Sequence, residues 1–165
     1  MWTSFVLAFA AAVAASDACW RKIPRELTTG GLLAGLTYHV FSGGFWGAVL
    51  TSCLGFAASL ALFELRAMGG GDVKLVTAMG AILGFQHWLL AIEVAIGVAG
   101  VMALAGVIYR RRLLATLRNL GALLRHFALN GFRPHPEIHM QNPSLVRVPF
   151  GVAAALGTVW TVVAR

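Results

Sequence analysis

Apolar residues occur along the chain in long runs, which are separated by short polar or glycine-containing connections. A helix needs roughly 20 mostly apolar residues to cross a bilayer, and a shorter helix is accommodated by thinning of the membrane around it. We therefore expect one all-α, polytopic membrane domain over residues 1–165, with turns around 42–44, 69–71 and 84–87. The runs predict six spanning helices, at about 2–16, 27–42, 45–65, 72–83, 88–108 and 146–164.

The longest connection, at about 109–145, has an amphipathic pattern of its own. Arg111, Arg118 and Arg125 lie off its apolar stripe. The pattern predicts a helix that lies in the membrane interface, where the arginines meet anionic lipid headgroups. A gate over an active site is the alternative role for this helix. The apolar stripe consists of residues at helical spacing: Leu113, Leu114, Leu117, Leu120, Leu123, Leu124 and Phe127.

The remainder of this connection is broken by prolines and is expected to be irregular. His135 and His139 have the spacing of metal ligands, but Pro136 between them argues against a shared helix face, and we expect no metal site.

Cys19 and Cys53 form no CxxC pattern, so neither a disulfide nor a zinc framework is indicated.

The composition agrees with a membrane protein. Hydrophobic residues make up 59% of the 165 residues and charged residues 12%, with a mean hydropathy of +0.79. Soluble domains carry roughly 25% charged residues. A soluble enzyme, a disordered tail and a nucleic-acid-binding module are therefore excluded, and the expected partner is the lipid bilayer.

The positions of the basic residues predict the orientation of the helices. Twelve of the 13 Lys and Arg residues lie in three patches, at 21–25, 66–74 and 110–147, and long apolar runs separate these patches. The positive-inside rule places such patches on the cytoplasmic side, and six spans then leave both termini outside. A cleaved signal peptide at 2–16 is the alternative, but no basic residue precedes this run.

Acidic residues are few, and two of them suggest chemistry. Asp17 and Asp72 are the only aspartates, and the six-span topology places both at cytoplasmic ends of helices. Two carboxyl groups from separate helices can share a proton, so that one acts as a general base on water and the other as an acid. This chemistry requires no metal or cofactor. Because Asp72 would begin a helix and Asp17 would end one, the helix dipoles favour Asp72 as the base and Asp17 as the acid.

Two other interpretations of these acids remain open. The aspartates could simply face cytoplasmic water and the basic loops. Alternatively, Asp17, Asp72 and Glu93 could form the proton pathway of a small proton-coupled transporter, because Glu93 lies inside a predicted span. The glycines at 69–71 would provide a tight turn before Asp72 and would let a substrate backbone approach.

Three segments together resemble the prepilin peptidases, a family of GxGD-type aspartic peptidases. Met68–Lys74 matches the GxGDxK motif of that family. Asp17, followed by Arg21-Lys22-Ile23-Pro24, is similar to its first catalytic element, although Arg25 replaces the usual asparagine. Arg147–Ala153 resembles the P-[FY]-G motif at the start of its last helix.

The resemblance implies a multi-pass enzyme of the bacterial inner membrane that removes the basic leader of type IV prepilins or pseudopilins at the cytoplasmic face. Asp17 and Asp72 would be catalytic, Gly69, Gly70 and Gly71 would form the active-site turn, and Lys74, Pro149 and Gly151 would support the site. The chain lacks the CxxC segment of the larger members and looks like the short form found with tight-adherence (Flp) pili. The oligomeric state is not predicted.

Overall fold

The computed structural model describes residues 1–131, 133–134 and 148–164, and these residues form helices without strands. The all-α prediction is confirmed. Three helices, α1, α3 and α4, are long and apolar enough to cross a membrane, and α6 is apolar but shorter. The six helices are α1 (Trp2–Trp20), α2 (Arg25–Ser42), α3 (Phe45–Glu64), α4 (Gly70–Tyr109), α5 (Leu113–Asn130) and α6 (Phe150–Val163).

The 40-residue helix α4 consists of two helices that meet at Gly84. In a straight helix Val76 and Trp88 would lie about 18 Å apart. The Trp88 indole Nε1 nevertheless donates a hydrogen bond to the Val76 carbonyl oxygen at 3.2 Å, so the second half must fold back on the first. Gly84 has φ 68° and ψ 171°, a conformation that side chains disfavour. The turn predicted at 84–87 is therefore confined to Gly84, and the fourth and fifth predicted spans are the two halves of α4.

Close contacts between helix backbones hold the core together. The glycines at these contacts have no room for a side chain: a Cβ on Gly35 of α2 would lie 2.6 Å from the carbonyl carbon of Ala81 in α4, and Gly157 of α6 packs directly on the Ala91 carbonyl oxygen. Small residues allow membrane helices to pack this closely. These contacts hold the first half of α4 against α2 and the second half against α6.

Helix α5 confirms the predicted amphipathic helix and has no buried residue. Six of its seven leucines, including Leu114 and Leu124, are exposed, and Leu123 is half-buried. The predictions for His135, His139 and Arg147 lie outside the described residues.

Candidate active site

The last turn of α1 carries the first aspartate. Asp17 is buried, with 7% of its surface exposed. Arg21 closes the helix in the left-handed conformation (φ 50°), and its backbone N–H bonds to the Asp17 carbonyl oxygen. The buried Ser16 hydroxyl donates a hydrogen bond of 2.7 Å to the Lys22 carbonyl oxygen. The connection from α1 to α2 is therefore tied to the helix turn that presents Asp17.

The first turn of α4 carries the second aspartate. The Asp72 backbone N–H donates to the Gly69 carbonyl oxygen at 3.0 Å, and Gly69 is extended with φ −82°. The three glycines lack positive φ, whereas Arg66, just before them, has φ 55°. The predicted tight turn at these glycines is therefore corrected, because the turn lies earlier in the chain and Gly70 and Gly71 are already helical. The predicted approach of a substrate backbone to the glycines stays a prediction.

The start of α6 contacts Asp17 directly. A Cβ on Gly151 would lie 2.8 Å from both Cβ and Oδ2 of Asp17. The backbone N–H of Val152 donates to Asp17 Oδ2 at 3.3 Å. Pro149 is the residue before the helix and has extended backbone angles, φ −71° and ψ 95°.

These three helix ends enclose a cavity of about 370 Å³ that is lined by both aspartates. Asp17 and Asp72 also lie close enough for their charges to interact. Sequence reasoning treated the lining residues Arg21 and Lys22 only as part of a basic patch and a motif. Their closeness to Asp17 in the sequence could have indicated that they line the same site. The other lining residues are Ile23, Gly69, Gly71, Val148, Pro149 and Phe150.

Lys74 and Glu93, which the sequence also singled out, do not line this cavity, and neither do Gly70 and Gly151. Lys74 is exposed on α4, and Glu93 is exposed on the second half of the same helix. The structure therefore does not bring Glu93 to the two aspartates, as the predicted proton pathway would require.

A model of the type IV leader peptidase family matches residues 4–105. The chain belongs to this family. As a type IV leader peptidase it is a membrane protease, and the family implies prepilins as substrates. Comparisons with curated proteins and with solved structures gave no match.

The matched residues include both aspartates of the leader peptidase and most of its helical bundle, but they end before α6. The predicted similarity to the Flp-associated short form stays a prediction. In the part of the chain that the structure describes, no group of three or more His, Cys, Asp or Glu residues is arranged to hold a metal ion.

The structure changes one argument about the aspartates of this leader peptidase. The sequence assigned the acid role to Asp17 because it ends α1. Its carboxyl group, however, also lies at the N-terminus of α6, where it accepts the Val152 N–H. The two helix ends act on Asp17 in opposite senses, so the helix dipoles no longer separate the roles of Asp17 and Asp72.

Proposed function

We propose that this protein is an aspartic endopeptidase that removes the basic leader from type IV, Flp-like prepilins at the cytoplasmic face of the bacterial inner membrane. The observation that carries the proposal is the cavity that Asp17 and Asp72 line together. The two residues come from helices that are distant in sequence, and one shared cavity is the arrangement that two-carboxylate hydrolysis requires.

The proposed reaction is the hydrolysis of one peptide bond by one water molecule. The ionised carboxylate takes a proton from the water, and the water oxygen bonds to the scissile carbonyl carbon. The protonated carboxyl group donates its proton as the carbonyl oxygen gains charge. The C–N bond then breaks, and the amine leaves with a proton from one of the two aspartates. Neither a metal nor a cofactor takes part.

The basic residues support a cytoplasmic active site. Arg21 and Lys22 line the cavity, and Arg66 lies in the connection that leads to Asp72. The positive-inside rule assigns this end of the bundle to the cytoplasm. A cavity at this level would receive the cytoplasmic leader of the substrate while the apolar helix that follows it remains in the bilayer.

Co-expression with an Flp-type prepilin tests the proposal, with the mass of the pilin N-terminus as the measurement. We expect the intact protein to remove the leader, and Asp17→Asn and Asp72→Asn each to abolish cleavage while the protein remains folded in the membrane. Glu93→Gln is the matched control and should cleave normally. Leader removal by either aspartate variant would overturn the proposal. If both aspartate variants leave precursor processing normal and proton-coupled flux is lost, most sharply in Glu93→Gln, the protein is a transporter instead.

A further inference from the structure

We infer that the first turn of α6 is a positioning element for Asp17, in which the Val152 backbone N–H holds one carboxyl oxygen and Gly151 provides the space for it. This inference rests on the proposed function, since it assigns Asp17 a role in catalysis. Gly151 and Val152 are positioning residues because they act through Asp17.

The hydrogen bond satisfies a donor that α6 cannot satisfy by itself. The first four N–H groups of a helix have no acceptor within the helix, and α6 has no side-chain cap of its own. Val152 is the third residue of α6, and its N–H group donates a hydrogen bond to Asp17 Oδ2 at 3.3 Å. The carboxyl group of α1 thus caps α6 across the bundle.

The glycine before Val152 makes this approach possible. Gly151 is not among the residues with positive φ, so its backbone angles do not require glycine. Its buried Cα instead faces Asp17, where an added Cβ would lie 2.8 Å from Oδ2 and 3.0 Å from Cγ. Any side chain here would therefore displace the carboxyl group.

The result is a fixed carboxyl orientation. Val152 holds Oδ2, and Asp17 also lines the cavity, so the carboxyl group is held in one orientation at a place that a water molecule can occupy. A general base or acid is effective only when it lies within hydrogen-bonding reach of the proton that it moves. Freeing the carboxyl group to rotate would slow the chemical step without removing a substrate contact, because Val152 does not line the cavity.

Val152→Pro tests the donor, because proline lacks an N–H group and is tolerated in the first turn of a helix. We expect kcat for leader cleavage to fall about 10- to 100-fold, as for loss of a hydrogen bond to a charged group, with KM unchanged. Gly47→Pro is the control, because Gly47 is the third residue of α3 and has nothing within 4 Å of an added Cβ. It should keep the original kcat.

Gly151→Ala tests the space, with Gly157→Ala on the same helix as its control. Gly151→Ala should lower kcat about tenfold or more, because the added Cβ displaces the carboxyl group that moves the proton. It should also lower Tm, because the Asp17 Cβ, 2.8 Å from the added Cβ, cannot rotate aside. Gly157→Ala should lower Tm, because its Cβ meets the Ala91 backbone, while the folded fraction keeps its kcat.

The outcomes separate this inference from the proposed function. If Asp17→Asn abolishes cleavage but Val152→Pro and Gly151→Ala keep the original kcat, the positioning role is wrong and the proposed function stands. An increase in KM alone, or a loss of activity that follows Tm in all variants, would also overturn it. Cleavage by Asp17→Asn would refute the proposed function itself.

Discussion

Gly35 in α2 and Ala81 in α4 touch through their backbones: a Cβ on Gly35 would lie 2.7 Å from the Ala81 carbonyl oxygen. This contact leaves no flexible side chain that could move aside. It holds α2 against the half of α4 that carries Asp72.

We therefore predict that Gly35→Ala destabilises the protein by about 1–3 kcal/mol, the cost of overpacking a core. Gly30 lies in the same helix but has nothing within 4 Å of an added Cβ. Gly30→Ala should be neutral or stabilise the helix by about 0.5–1 kcal/mol, because alanine favours helices. Thermal unfolding in detergent compares the two variants, and equal Tm values would contradict the packing argument.

The folded-back form of α4 gives a second prediction. Trp88→Phe keeps an aromatic ring but loses the N–H that bonds to Val76, so the free energy of unfolding should fall by about 0.5–1.5 kcal/mol. Trp160→Phe is the control, because Trp160 is 58% exposed and should tolerate the change. An unchanged Tm in Trp88→Phe would show that this hydrogen bond does not stabilise the bend at Gly84.

A third prediction concerns the space beside Asp72. Gly71 lines the cavity, and an added Cβ there would make only an ordinary contact with Ile23, at 3.8 Å. Gly71→Leu should therefore fold but fill the cavity, and leader cleavage should fall by roughly 100-fold as the substrate is displaced. Gly70, which is exposed and outside the lining, provides the control Gly70→Leu. Equal cleavage by both variants would argue against substrate entry beside Gly71.

A fourth prediction concerns the connection between α1 and α2. Ser16→Ala removes the part-buried hydrogen bond to the Lys22 carbonyl oxygen, which should cost about 1 kcal/mol. It should also lower kcat/KM, because Lys22 and Ile23 line the cavity. Thr29 makes a hydrogen bond of equal length, 2.7 Å, but is exposed within α2. Thr29→Ala should leave cleavage unchanged, and an equal loss of activity in both variants would contradict a role specific to Ser16.

The helices could be predicted from the sequence because the apolar runs and their glycine breaks are local features. The break at Gly84 is the clearest example, since a glycine between two apolar runs predicted a turn there. The placement of Asp17 and Asp72 at one end of the bundle could also be predicted from the sequence, because it depends only on the direction in which each helix crosses the membrane.

The purpose of individual glycines could not be predicted in the same way. A glycine can be needed for its backbone angles or for lack of a Cβ, and the residue type does not distinguish these. Gly71 was interpreted as a turn residue, yet it lacks positive φ and leaves room in the cavity. Gly151 was assigned to the site only through a motif, because its contact with Asp17 depends on how α6 packs against α1.

The acid and base roles of the two aspartates could not be predicted from the sequence for a related reason. The helix that contains a residue is visible in the sequence, and it placed Asp17 at the end of α1. The second helix end that acts on Asp17 is the N-terminus of α6, where Val152 lies 135 residues away from Asp17 in the sequence. Only the packed bundle places these two helix ends together.

That separation has a consequence for the newly made enzyme. The segment with Asp17 is synthesised well before the first turn of α6, because 135 residues separate Asp17 from Val152. On the proposed positioning role, a chain in which α6 has not yet packed against α1 would lack a fixed Asp17 carboxyl group. Proteolytic competence would therefore arise only after α6 has been inserted, so that nascent chains and their neighbours in the translocation machinery are not exposed to premature cleavage.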